Sequence, residues 1–198
     1  MKRLLLARHG ESEYSVRGLL NGDSSIDVGL TAVGEKQARR LGGLLARQPL
    51  DLCVVSELGR TRATADLALA GRGVPLEVWP EFNDPRAGRF EGLHLDEYRG
   101  WAWSAGSGED APGGGESRLA AISRFVRAYR ALCERPEPAI LAVVHALPIA
   151  YVLQALDGEP PLPRMDRPIE YARPYTLHRD ELARALALLE AWSSQPTW

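Results

Sequence analysis

Three short runs in this chain are apolar at every position rather than at every second one: Leu4-Leu5-Leu6-Ala7, Leu52-Cys53-Val54-Val55 and Ala139-Ile140-Leu141-Ala142-Val143-Val144. A strand with one wet face alternates polar and apolar side chains. A strand that is apolar throughout must be covered on both faces, which is the mark of a largely parallel sheet between helices. The segments between the runs have helical spacing. Thr31 is a plausible N-cap, followed by Ala38, Leu41, Leu44 and Leu45. Gly59 to Ala70 places Ala63, Leu67 and Ala70 on one side. From Glu116 onward, Leu119, Ile122, Val126, Tyr129 and Cys133 form the cleanest stripe. Pro148 suits a first helical turn, with Ile149, Val152, Leu153 and Leu156 as the core face. Asp180 is expected to cap a last helix carrying Leu182, Leu186 and Leu189. Weaker strands are expected at Leu76 to Trp79 and Tyr171 to Leu177. The alternation predicts an α/β fold: a three-layer α/β/α sandwich with a mostly parallel central sheet.

A chain of 198 residues suffices for one domain with a buried core, and a single domain over 1–198 is expected. Residues 80–115 break the periodicity with Pro80, Pro85, Gly88, Gly92, Gly100, Gly106, Gly108 and Pro112, and Gly113-Gly114-Gly115 closes the segment. This reads as a substrate-covering loop excursion over the sheet edge. Trp101 and Trp103 lie inside it and are expected to pack rather than to stack on substrate. Residues 157–168 read as a Pro-rich connection. The net charge of −2 gives no general attraction to nucleic acid or to an anionic membrane, so neither is expected as a partner. Cys53 and Cys133 lack metal-ligand spacing and read as buried free thiols. Arg8 interrupts the apolar start too early for a signal peptide, and no stretch reaches the length of a membrane span. A reducing cytoplasm is the expected compartment.

In sheets of this kind, sites form at the carboxyl ends of the strands. The first strand delivers Arg8-His9-Gly10-Glu11. The second delivers Ser56, then Arg60 and Arg62 in the helix that follows. The fourth delivers His145. The chain has four histidines, and two fall at predicted strand ends. Two arginines and two histidines in one crevice repel one another unless an anion joins them. A phosphoryl group suits, because guanidinium forks match its oxygens. Gly10 lets backbone approach closely after the strand. Arg62 reads as a surface charge, and His94 and His178 as solvated.

These residues also carry a resemblance. Leu6-Ala7-Arg8-His9-Gly10-Glu11-Ser12 looks like the signature of the histidine phosphatase superfamily, the phosphoglycerate-mutase-like proteins. Leu30-Thr31-Ala32-Val33-Gly34-Glu35-Lys36-Gln37-Ala38 resembles its "LT..G..QA" helix start. Ser56 to Ala65 resembles its "S...R...TA" segment, and Gly88 to Gly92 its "G.wEG" stretch. Gly114-Gly115-Glu116-Ser117 resembles its "GGES" segment, and Val143-Val144-His145 its second-histidine strand. The order holds from residue 4 to about residue 153.

The resemblance implies a phosphoglycerate-mutase-like fold and an enzyme that passes phosphate through a phosphohistidine. His9 would be the nucleophile, and Arg8, Arg60 and His145 would hold the phosphoryl oxygens. Ser15 stands where many relatives carry Asn and is a candidate phosphate donor, as is the backbone N–H of Ala146, where relatives often have Gly. Counting back from Gly88, Asp84 is the favoured general acid, with Glu81 as the alternative. Glu91 is expected to be structural. No metal and no cofactor are implied. The short stretch between Gly92 and His145 favours hydrolysis of a small phosphorylated metabolite over a mutase-type transfer. A phosphate-binding module with little turnover is the reading from another class. Relatives form homodimers, and nothing in the sequence identifies an interface.

Overall fold

The computed structural model describes residues 1–165 and 167–198. Residue 166, within the expected Pro-rich connection, lies outside the described residues. Along the chain, the elements are β1 (Arg3–Arg8), α1 (Glu13–Val16), α2 (Ala32–Leu45), β2 (Leu52–Val55), α3 (Gly59–Ala68) and β3 (Leu76–Val78). After short 3-10 turns at Pro80–Phe82 and Gly88–Phe90 come α4 (Leu95–Ala102), α5 (Arg118–Glu134), β4 (Ala139–Val144), α6 (Ala146–Leu156), β5 (Pro174–His178) and α7 (Arg179–Ser194). The sheet order is β3-β2-β4-β1-β5, with β5 antiparallel to β1 and the other pairs parallel.

The unbroken apolar runs become central strands for the expected reason. Successive residues of one strand enter opposite cores. Leu4, Leu6, Val54, Ile140 and Ala142 pack with α5, α6 and α7. Leu5, Ala7, Val55, Leu141 and Val143 pack with α2 and α3. Both faces of the sheet are therefore dry, and a strand there has no use for alternation. Among the described residues, no helix is long and apolar enough to cross a membrane.

Three sequence expectations are corrected. The final strand begins at Pro174 rather than Tyr171, because Tyr171 and Ala172 instead bridge onto the end of β1. The last helix is capped by His178, not Asp180. The Glu181 carboxylate accepts from the His178 N–H at 2.7 Å. Residues 80–115 contain a two-turn helix, α4, capped by His94, whose Nδ1 accepts from the Asp96 N–H at 3.3 Å. Gly100 obscured that helix in the sequence, since glycine in a helix interior lowers local propensity. Helix α5 starts at Arg118, with Ser117 as its N-cap.

The segment after β1 is clamped by the first turn of α2. Thr31 caps that helix through Gly34 N–H at 3.0 Å and donates its hydroxyl proton to Glu11 at 2.7 Å. Gln37 accepts from the Glu11 N–H at 2.8 Å. Gly34 lets the two backbones touch, for an added Cβ there would lie 2.0 Å from the Glu11 carbonyl oxygen. An added Cβ on Gly10 would lie 2.5 Å from the Gly34 carbonyl oxygen. Gly34→Ala should therefore displace the turn beside His9. A loss of about 1–3 kcal/mol is expected from such overpacking, read as a melting point lower by several degrees. An unchanged melting point would show that the clamp yields without strain.

Candidate active site

The parallel pairing of β1 with β4 ends with Arg8 beside Val144, so both chains leave the sheet at one level. The His9 N–H then donates to the Val144 carbonyl at 2.9 Å. His9 and His145 follow as neighbours, with ring centroids 5.2 Å apart and planes inclined by 62°. Arg60 reaches between them from α3, one strand over. Thr64, a turn further along α3, accepts from the Gly10 N–H at 2.9 Å, which ties that helix to the His9 turn.

The hydrogen bonds define both tautomers. His9 Nδ1 lies 2.7 Å from the Gly10 carbonyl, which only accepts, so Nδ1 carries the proton. His9 Nε2 accepts from Arg60 Nε at 3.2 Å with its single lone pair, so Nε2 carries no proton. His145 Nε2 lies 2.8 Å from the Ser56 hydroxyl, while its Nδ1 lies 3.2 Å from the donor Nη2 of Arg60. The second ring is thus a neutral Nε2–H tautomer. The cause is electrostatic. Burial first, then Arg60 and Arg8, hold His9 well below its ordinary value of 6.5 against the opposing pull of the Gly10 carbonyl. Burial, Arg60, His9 and Arg8, in that order, do the same to His145.

Arg60 is 4% exposed, and each of its three guanidinium nitrogens has a partner. Besides both histidines, it donates to the side-chain oxygen of Asn21, to the Asn21 carbonyl at 2.9 Å and to Asp84 at 3.2 Å. Arg8 differs. Its Nη1 donates to the Ile169 carbonyl at 2.9 Å, and its guanidinium lies 3.8 Å from the centre of the Tyr171 ring. Its Nε is buried and has no hydrogen-bond partner. A buried charged donor without an acceptor is costly.

Asp84 enters from the loop after β3. One of its oxygens lies 3.2 Å from Arg60 Nη2 and 3.5 Å from His145 Nδ1, and its side chain is 30% exposed. Burial raises its carboxyl above the ordinary value and outweighs Arg60, Arg8 and Arg124, which lower it. Its position is braced from behind. Arg124 grips Glu116 with two nitrogens, at 2.9 and 2.6 Å, and donates to the backbone carbonyls of Glu81 and Asn83. That is the physical content of the Glu116 motif. Glu81 itself is exposed and does not line the pocket. Glu91 is structural, accepting from the N–H groups of Gly22 and Ala87.

These groups open into a pocket of about 550 Å³. Arg8, His9, Ser15, Arg60, Asp84 and Ala146 line it, and His145 lies fully buried behind them. Ser15 spends its hydroxyl locally. It donates to the Ser12 carbonyl at 2.8 Å and accepts from the Ser12 N–H at 2.7 Å in a capping box at α1. Trp101 packs with Phe90 and Tyr98 outside the pocket lining, whereas Trp103 is 40% exposed at the lining, with the Arg164 guanidinium 4.7 Å from its ring. Arg62 is a surface charge facing Asp66. Among the described residues, no three His, Cys, Asp or Glu side chains gather as a metal site would.

Sequence reading missed three partners of the site. Ser56 stood at a predicted strand end but its link to His145 depends on a contact between strands β2 and β4. Asn21 sits in a segment without periodicity, and Tyr171 was read as the start of the last strand, so nothing local pointed from either to the site.

Comparison with known proteins shows the family and the fold. A family model described as "Histidine phosphatase superfamily (branch 1)" matches residues 4–191. The "Adenosylcobalamin/alpha-ribazole phosphatase" of Escherichia coli (strain K12) is 33% identical over 169 residues, 80% of each chain. The protein of that name from Salmonella typhimurium is 45% identical over 92 residues, so the match spans only 46% of this chain and 45% of that one. A solved structure of a putative alpha-ribazole-5'-P phosphatase from Escherichia coli superposes with a TM-score of 0.71 at 32% identity, covering 80% of this chain and 81% of the other. Proteins named "Probable phosphoglycerate mutase GpmB" also match, at 28% identity in Cronobacter sakazakii over 81% of this chain and 77% of that one.

The two neutral histidines make stability depend on pH in a defined direction. Both have folded values below the 6.5 of the unfolded side chain, so below that pH the unfolded chain binds more protons than the folded one. Stability is complete above 6.5 and falls as the pH drops, by up to about 1.4 kcal/mol per pH unit for each ring. Urea unfolding at pH 7.5 and 5.5 should show this loss, and His145→Gln should reduce it. Equal acid sensitivity in that variant would place the proton uptake elsewhere.

Proposed function

Because this chain belongs to the histidine phosphatase superfamily, we propose that it is a metal-independent phosphatase that hydrolyses a small phosphomonoester through a phosphohistidine on His9. The observation that carries the reading is the His9 ring itself. Its Nδ1–H is pinned to the Gly10 carbonyl, and its Nε2 lone pair is free of a proton inside a pocket of positive charge.

The chemistry runs in two transfers. In the first, the Arg60 Nε–H turns from His9 Nε2 to a phosphoryl oxygen, the freed Nε2 lone pair bonds to phosphorus and the ester oxygen leaves. The departing oxygen takes a proton from the Asp84 carboxylic acid, whose raised pKa keeps that form accessible. Nδ1 of His9 keeps its proton on the Gly10 carbonyl, so the phosphorylated ring is cationic and the carbonyl stabilises it. In the second transfer, the Asp84 carboxylate takes a proton from water, the water oxygen bonds to phosphorus, and the His9 N–P bond breaks. Arg8, Arg60 and His145 hold the non-bridging oxygens, where positioning and electrostatics supply most of the rate. A substrate that enters as its monoanion can pass its proton to His145 Nδ1, which then donates it in a hydrogen bond to the dianion.

The short stretch between Gly92 and His145 supports hydrolysis, since a mutase must keep the phosphoryl group from water until the product turns. The similarity to probable mutases is the observation behind the second reading, a phosphoglycerate-mutase-type transfer. Incubation with 3-phosphoglycerate and a bisphosphoglycerate primer separates the two. The hydrolase releases inorganic phosphate, and the mutase equilibrates the isomers. The relatives' names make alpha-ribazole phosphate one member of the substrate panel. The free thiols Cys53 and Cys133, both buried, fit a reducing cytoplasm.

His9→Ala should lower phosphate release from 4-nitrophenyl phosphate by about 10⁴-fold or more while leaving the unfolding transition cooperative. Wild-type turnover in that variant would end the phosphohistidine reading. Asp84→Asn should slow alkyl phosphates by about 10²-fold or more, the scale of a general acid. It should slow 4-nitrophenyl phosphate far less, because that leaving group needs no proton. Equal losses on both would move the acid role to another residue.

A further inference from the structure

Away from the two histidines, the same pocket contains a second buried cation that no acid balances. Arg118, the first residue of α5, is 8% exposed and lines the pocket. Its Nη1 donates to the Tyr151 hydroxyl at 2.9 Å and its Nε to the Tyr98 hydroxyl at 3.4 Å. Among the described residues it forms no ion pair. The other arginines named so far are differently placed. Arg60 has Asp84, Arg124 has Glu116, and Arg8 faces the phosphoryl site. Arg99 and Arg167 also line the pocket, but each is paired, with Asp96 and Asp157.

The two phenols do not supply the missing charge. Burial raises the Tyr151 hydroxyl above its ordinary value and outweighs the Arg118 cation that lowers it, so Tyr151 is neutral at neutral pH. Both hydroxyls accept from Arg118, which leaves each with its own proton to give. Neither proton has an acceptor among the described residues. Tyr98 lines the pocket with Arg118. An uncompensated cation beside an unspent O–H donor, both largely withdrawn from water, is an arrangement that an anionic oxygen group completes. Leu20, Ala87, Leu147, Ala150 and Ile169 give the same pocket apolar lining, which suits the carbon part of a substrate.

We propose that Arg118 and Tyr98 form a second anion subsite, which takes a carboxylate or a second phosphoryl group on the leaving group of the substrate. The proposal rests on the phosphatase reading, because it assigns the part of the substrate that departs. It defines the substrate class as phosphomonoesters whose leaving group is itself anionic.

Matched probes test it. Phenyl phosphate and 3-carboxyphenyl phosphate release phenols of similar acidity, so a difference in kcat/KM reports recognition and not chemistry. Wild type should prefer the carboxylated ester by about tenfold or more, the worth of a charge-assisted hydrogen bond in a desolvated site. In Arg118→Met the ratio should fall to about one, and Arg118→Lys should restore part of it. A merely structural role for Arg118 lowers both rates together and leaves the ratio intact, which would overturn the subsite. Calorimetric binding of phenylphosphonate, 3-carboxyphenylphosphonate and benzene-1,3-diphosphonate requires no turnover. It separates a carboxylate from a phosphoryl preference, and it tests the subsite even if phenyl phosphate is not hydrolysed. Equal affinities for all three in wild type would refute the proposal without any variant having to fold.

Discussion

The parallel pairing of β1 with β4 is the constraint on which the site depends. Two strands far apart in sequence end at the same level because Arg8 and Val144 are partners in the ladder. A slip of one residue would send Leu4 and Leu6 to the face that now holds Leu5 and Ala7, and the cores would have to exchange contents. Core packing therefore fixes the register, and the register fixes the His9–His145 separation. Hydrophobic burial, which has no directional preference of its own, sets the aim of two imidazoles through backbone geometry.

That placement has an electrostatic consequence. Burial first, then Arg60 and Arg8, makes protonation of either ring unfavourable, so the cations proposed to hold a phosphate also help to keep the proposed nucleophile unprotonated. The same field acts on Asp84 in the opposite sense to burial, and burial wins. The site thus keeps a base neutral and an acid protonatable in one cavity. Part of this arrangement is braced from outside it. Glu116 orients Arg124, Arg124 fixes the carbonyls at residues 81 and 83, and the following residue is Asp84. Gln37 and Thr31 hold Glu11, two residues past His9. The ordered motifs along this chain include such supports as well as groups that face the pocket.

How much of this the sequence disclosed follows from the range of each interaction. The central strands were legible because burial on both faces leaves a mark at every residue. Helices α2 and α5 were legible because one apolar stripe repeats over several turns. Helix α4 was not, since Gly100 and a run of breakers diluted a short pattern whose core contacts are Phe90 and Ala111. His178 was read as solvated because a histidine N-cap is uncommon, and Asp180, two residues on, has the better capping chemistry on paper. The strand-end residues His9, Arg60 and His145 could be named from their positions. Their shared hydrogen bonds could not, because Asn21 and Ser56 reach them only through the fold. Arg118 was hidden for a related reason. At the first position of a helix an arginine reads as a solvated charge, and only the packing of Tyr98 and Tyr151 around it shows otherwise.

The floor and the walls of the pocket come from different parts of the architecture, and this separates reaction from selection. The floor is built from the ends of β1 and β4 and the start of α3, whose positions the two cores determine. Changing it means changing the sheet. The walls come from the excursion around α4, the first turn of α5 and Met165, Arg167, Pro168, Ile169 and Tyr171 after α6. A substitution at the first turn of α5 leaves the β1–β4 register untouched, yet it replaces a charge inside the pocket. An unbalanced arginine in such a wall is tolerated when folding alone is at stake only if stability gained elsewhere offsets its desolvation. Its persistence in a corner lined by a free phenolic proton is better accounted for by what enters the pocket than by what holds the fold.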